Sequence, residues 1–218
     1  MNPVFVQLGR EYPDLQPTLG PVVQAFTLLV EAFTAGGKLL LCGNGGSAAD
    51  ADHIVGELVK GFLLPRPLSG TEQARFAAGQ GEAGRQLAAR LQRGLPALAL
   101  TASPAFATAF GNDVAPELVF AQQIYVHGRP GDVLLALSTS GNSANVLAAL
   151  QVARLQGLRT VGLTGETGGR MRPLCDVAVC VPARETRRIQ ERHLPIYHAL
   201  CAALEHHFFA DTPVTGRC

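Results

Sequence analysis

The sequence predicts an α/β protein of three layers, a five-stranded parallel sheet flanked by helices. Three observations carry this. Five short runs (38–42, 96–101, 132–137, 159–163 and 176–181) are apolar without polar alternation, the pattern of strands buried on both faces of a sheet. Segments with helical spacing separate them, as in βαβ architecture. Two of the runs lead into Ser/Gly-rich loops that each open a helix, and open α/β sheets bind ligands beyond the carboxyl ends of their strands.

The elements follow in order. Residues 17–35 place apolar side chains at helical spacing and end at Gly36-Gly37, a C-cap signal. KLLLC at 38–42 is the first strand, GNGG a loop, and Ser47 the expected N-cap of a helix running to about Val59. Residues 63–94 are rich in Pro, Gly, Gln, Ala and Arg. They read as a lid-like excursion within a single domain of residues 1–218, with one short helix over 84–93, because they hold too few apolar residues for a core of their own. PALALT at 96–101 is a strand, followed by helices over 105–110 and 117–126, and DVLLAL at 132–137 is the next strand. A loop at 138–142 precedes a helix over 143–156, and RTVGL and DVAVCV supply the last strands. Residues 186–209 form a long closing helix, its pattern interrupted at Pro195.

Bulk composition narrows the function. The 218 residues suit one domain with a real core. Hydrophobic residues make up 47% and charged ones only 16%, so part of the surface is expected to be buried in an oligomer. A net charge of +1 gives no electrostatic case for nucleic acid. Arg184, Arg187, Arg188 and Arg192 cluster and read either as a solvated helix face or as a local anion site. Five cysteines, Cys42, Cys175, Cys180, Cys201 and Cys218, form no CxxC pair and fit a reducing, cytoplasmic compartment. The first residues carry no basic segment followed by an apolar stretch, so no signal peptide is expected, and no apolar run is long enough for a membrane span.

The two loops hold the chemistry. In the first, Gly43, Asn44, Gly45, Gly46 and Ser47 combine a permissive backbone with a helix start, where free N–H groups and the dipole favour an anion. In the second, Ser138, Thr139, Ser140 and Ser143 place four hydroxyls in six residues at another helix start, a dense donor set for one phosphate. Neither loop is a Walker A or a GxGxxG. An ordinary βα turn with serine capping is the alternative for each. His53 and Glu57, four apart on one helix, share a face. That spacing suits a metal clamp and equally a partly buried His beside a Glu that pairs with Lys60. Asp113, in Gly-Asn-Asp, reads as a site residue or as a cap. His206-His207 read as a helix end rather than a metal tract.

GNGGSAADADHIVGELVKGF at 43–62, STSGNSANVL at 138–147 and RIQERHLPIYH at 188–198 together resemble the sugar isomerase (SIS) domain family, in particular its phosphoheptose isomerases. Most of the chain outside 63–94 shares this likeness. The resemblance implies a flavodoxin-like SIS fold, a homotetramer with active sites at subunit interfaces, and interconversion of sedoheptulose 7-phosphate with an aldose heptose 7-phosphate. It implies phosphate held by Ser47, Ser138, Thr139, Ser140 and Ser143 with the Asn44–Gly45 turn, an acid/base pair of Glu57 and His198, and a substrate-site position at Asp113 and Gln190. In some members zinc sits on residues matching His53, Glu57, Gln190 and His198. Eight residues of straight helix between Gln190 and His198 amount to about 12 Å and roughly 80°, so one straight helix would not easily bring both to one ion. Two departures bear on the sugar: Lys60-Gly61 stands where the family often has Gly-Arg, and 63–94 is longer than the usual connection. The rival expectation is a non-catalytic SIS module that senses sugar phosphates or binds a replication initiator; retention of His53, Glu57, Gln190 and His198 favours the enzyme. An isomerase of another phosphosugar, such as an aminosugar, is the third reading.

Overall fold

The computed structural model describes residues 2–210; Cys218 lies outside them. Five strands, β1 (Leu39–Cys42), β2 (Ala97–Ala99), β3 (Val133–Ser138), β4 (Arg159–Thr164) and β5 (Val177–Cys180), form one parallel sheet in the order β2-β1-β3-β4-β5. Every residue of β1 and β3 is buried, as expected of strands covered on both faces. One face packs on α1 (Pro3–Glu11), α2 (Leu19–Thr34), α3 (Gly46–Val59) and α8 (Thr186–Phe209); the other packs on α6 (Val119–His127) and α7 (Ala144–Leu155). Strand order reverses between β1 and β3. The two Ser/Gly loops therefore leave adjacent strands at the switch point, where such sheets form a crevice.

The first residues, for which the sequence suggested no element, form α1, whose N-cap Asn2 accepts a hydrogen bond from Val4 N at 3.0 Å. Several local expectations are corrected. α3 is capped by Gly45, at φ 55° and ψ −122°, rather than by Ser47, which sits inside the first turn. The expected helix at 84–93 is instead α4 (Gly70–Ala88), opened by a Ser69/Glu72 capping box and kinked at Gly81. α8 runs unbroken for 24 residues through Pro195.

The start of the 63–94 excursion is fastened to the core. Glu205 on α8 and Arg66 are both 1% exposed, joined Nε to Oε1 at 2.7 Å. The Glu205 carboxylate also accepts from the amides of Phe62, Leu63 and Leu64 at 2.7–3.0 Å. Arg66 donates to the carbonyls of Leu58 and Glu57 at 2.7 and 3.0 Å. A buried pair survives only when its other polar atoms find partners, and here all three nitrogens of Arg66 and both oxygens of Glu205 do. The end of α3 and the segment after it are thereby held against α8.

Candidate active site

β1 delivers its loop by close backbone approach. A methyl group at Gly43 would stand 2.6 Å from the Ser47 carbonyl oxygen, and one at Gly46 would stand 2.4 Å from Gln190 Nε2. Gly46 thus leaves room for the first turns of α8 to lay Gln190 across the start of α3. Ser47 is buried at this junction, 3% exposed.

β3 delivers hydroxyls. Ser138 Oγ and Ser143 Oγ lie 3.1 Å apart, Ser140 Oγ accepts from Asn142 N at 3.1 Å, and the Thr139 carbonyl accepts from Gly165 N at 3.1 Å. Gly141 turns the loop at φ 65°, where a methyl group would meet the Gly168 carbonyl at 2.2 Å. α7 begins after Ser143 without a side-chain cap bond, so its first amides face the loop with their dipole. A cavity of about 300 Å³ opens beside Thr139 and Ser140, lined also by Glu166, Thr167, Arg184 and Ile189. Arg184 is held at its mouth by Glu166.

The loops are tied to each other by a residue the sequence reading passed over. Asn44 and Asn145 exchange two side-chain hydrogen bonds, each 2.9 Å. Asn145 stands in the first turn of α7, two residues after Ser143, and pairing to a loop 101 positions away has no local signature.

The titratable groups gather where α3 packs on α8. His53 Nε2 lies 3.2 Å from Glu57 Oε1 and 3.4 Å from His198 Nε2. Glu57 also takes Lys60 Nζ at 3.0 Å, the pairing expected of a Glu beside a partly buried His. Tyr197 Oη donates to Asp50 Oδ1 at 3.2 Å and lies 3.1 Å from His53 Nδ1. The Phe62 ring covers His198 at 5.5 Å. Burial, reinforced by His53 and opposed by Glu57, holds the His198 pKa below the usual imidazole value, which favours a neutral ring at neutral pH. Burial likewise raises the Asp50 carboxyl, opposed by Tyr197 and His53. Asp50 and Tyr197 were not expected; Asp50 is one helical turn before His53, a spacing that shares its face.

Two expected members stand apart. Gln190 lies over Gly46, eight residues before His198 on α8 and out of helical phase with it. Asp113 ends α5 (Pro104–Asp113), exposed, its carboxylate bonded to Asn112 Nδ2 at 2.9 Å; among the described residues no hydrogen bond or ion pair links it to the cluster. The 3.2 and 3.4 Å separations around His53 match those between ligands of a tetrahedral ion bound at about 2.0–2.1 Å. Yet among the described residues no three His, Cys, Asp or Glu are arranged to hold a metal. The donors fit zinc in kind, and their geometry is not closed around one.

Beyond the strand ends the sheet thus carries a hydroxyl-lined loop and a His53/Glu57/His198 cluster, the frame of an α/β domain with a site for a small polar ligand. The SIS domain model matches residues 17–78 and 81–165, and the chain belongs to that family. It is 42% identical over 190 residues to the phosphoheptose isomerase of Aneurinibacillus thermoaerophilus, covering 87% of this chain and 83% of that one. It is 41% identical to that of Rhodospirillum rubrum, over 92% and 89%. The structure of the phosphoheptose isomerase GmhA from Neisseria gonorrhoeae superposes with a TM-score of 0.72 at 35% identity, over 92% of this chain and 94% of that one.

Proposed function

We propose that this chain is a phosphosugar isomerase that interconverts sedoheptulose 7-phosphate and an aldose heptose 7-phosphate. The observation that carries this reading is the meeting of Glu57 and His198, from two different helices, at His53 Nε2, on a helix whose preceding loop is tied to the start of α7, just after the hydroxyl loop, through Asn44 and Asn145. The relatives named phosphoheptose isomerase support the same substrate class.

In this reading the phosphate lies on Ser138, Thr139, Ser140 and Ser143, with Ser47 and the Asn44–Gly45 turn closing it from α3. Six to ten residues of helix, about 9–15 Å, separate Ser47 from His53 and Glu57. That separation suits an extended sugar and leaves a triose phosphate short. Glu57 takes the proton from C1 of the ketose while His198 protonates the C2 carbonyl oxygen, giving an enediol. Return of the proton to C2, with loss of the O1 proton, gives the aldose. Gln190 is placed to hold a sugar hydroxyl. Zinc enters only as the ion this donor set would take: His53, Glu57, Gln190 and His198 would hold it, and it would polarise the carbonyl.

The whole chain is taken as one SIS domain with 63–94 as its excursion, working in the cytoplasm as a homotetramer with interface active sites. Supporting the oligomer, α5 fully buries none of its residues, while Val114 and Tyr125 nearby are each 66% exposed. Asp113, exposed on the same helix, would reach the sugar of a neighbouring copy. No helix of the described residues is long and apolar enough to cross a membrane.

The test is incubation of the purified protein with sedoheptulose 7-phosphate, with and without chelator, following the aldose and the bound metal. Conversion supports the reading, and loss of conversion with loss of zinc supports the ion. Tight binding of one sugar phosphate with no turnover across a panel of five- to seven-carbon substrates would instead make the chain a sensor.

A further inference from the structure

Tyr197 has one proton and two partners. Its hydroxyl donates to Asp50 Oδ1 at 3.2 Å, and an ionised carboxylate can only accept. The contact between Tyr197 Oη and His53 Nδ1, 3.1 Å, must then be made with the nitrogen donating. Neutral imidazole carries one N–H, so with Nδ1 protonated, Nε2 presents a bare lone pair. That atom is the one facing Glu57 Oε1 and His198 Nε2.

We infer that Asp50 and Tyr197 are positioning residues which lock His53 as its Nδ1–H tautomer and aim the Nε2 lone pair into the Glu57/His198 cluster. Resting on the isomerase reading above, this adds a relay behind it. In this tautomer neither Nε2 nor a carboxylate oxygen of Glu57 carries a proton, so their 3.2 Å approach leaves two acceptors facing each other, open to a cation or to a donor such as a substrate hydroxyl. The other neighbour, His198 Nε2, can donate to His53 in its neutral form. Packing supports the lock. Tyr197 is 1% exposed, its ring sits edge-on to both His53 (5.5 Å) and His198 (5.0 Å), and Asp50 Oδ2 is a buried oxygen with no partner among the described residues. A carboxylate left half-satisfied beneath a buried phenol costs stability, and orienting His53 is a role that accounts for its retention there.

The experiment reads the tautomer and the kinetics separately. Protein labelled with ¹⁵N-histidine and freed of metal by chelator is examined by long-range ¹H–¹⁵N spectroscopy at neutral pH, with the His53 signals assigned by their loss in His53→Gln. His53 is expected in the Nδ1–H form. Tyr197→Phe keeps the buried ring and removes the hydroxyl, so His53 should lose that preference. With sedoheptulose 7-phosphate, kcat should fall about 10–100-fold, the range for losing a group that orients a functional His, while KM changes less than about twofold. Asp50→Asn, which can donate to Tyr197 and reverse the relay, should move His53 toward the Nε2–H form, as an Asp→Asn change behind a catalytic His does elsewhere. An Nε2–H tautomer in the unmodified protein, or an unchanged kcat in a folded Tyr197→Phe, would overturn the inference. The tautomer measurement needs no turnover, so it decides this point even if the isomerase reading fails.

Discussion

The loops after β1 and β3 leave adjacent strands and end at the start of similar helices, yet they are built from opposite materials. After β1 the work is done by missing side chains. Gly43 and Gly46 leave the space that Ser47 and Gln190 occupy, and the functional groups arrive later, at His53 and Glu57 on the helix face. After β3 it is done by side chains present, with four hydroxyls crowded at the turn and only Gly141 spared for the backbone. One loop brings elements together; the other offers donors to an anion. An extended phosphosugar has the same division, a fixed anionic end and a reactive end some distance along.

That division can be broken at either end. The largest effect is expected from Glu57→Gln, which keeps shape and removes the base. kcat for sedoheptulose 7-phosphate should fall about 10²–10⁴-fold with KM nearly unchanged, measured by steady-state kinetics. Ser143→Ala acts on the other loop and should do the reverse. Loss of one hydrogen bond to a charged group is worth about 1.5–3 kcal/mol, so KM should rise about 10–100-fold with kcat largely kept. Gly141→Ala tests the backbone of the hydroxyl loop. A side chain at φ 65° and 2.2 Å from the Gly168 carbonyl should lower stability by more than about 1 kcal/mol, read by denaturant unfolding.

A fourth prediction touches neither loop. His193, 0% exposed, makes no well-aligned hydrogen bond through either ring nitrogen among the described residues, and burial, opposed by the nearby Thr164 main chain, pushes its pKa down to about 4. An unfolded chain takes up this proton near pH 6.5. Between pH 6.5 and 4 the unfolded state therefore binds more protons, and stability falls as pH falls. From pH 6.5 to 5.5 the loss should be about 1 kcal/mol, and His193→Leu should flatten that part of the curve.

What the sequence made legible follows from the range of each signal. β1, β3 and β4 could be read because burial on both faces removes alternation, a local property; the edge strands β2 and β5 are only partly buried and were read from their apolar runs alone. The hydroxyl loop could be read because Ser138–Ser143 is contiguous. Ser47 was misplaced as the α3 cap because serine is a common cap, whereas here Gly45 takes a conformation that only glycine adopts easily. The excursion was under-read because α4 buries only Gly84 and Ala88, leaving almost no apolar period to detect. Pro195 does not interrupt α8, whose buried face against α3 and the sheet outweighs one lost hydrogen bond. The Asn44–Asn145 tie, the Arg66–Glu205 clamp and the Asp50–Tyr197 contact each join residues more than 100 positions apart, and no local pattern announces them.

The central claim is that one loop binds phosphate while the α3/α8 cluster performs the chemistry. Binding and turnover of sedoheptulose 7-phosphate, measured side by side in Glu57→Gln, test it most directly. The account predicts binding within a few-fold of the unmodified protein and almost no aldose formed. Full turnover in this variant, or loss of binding in step with turnover, would contradict it.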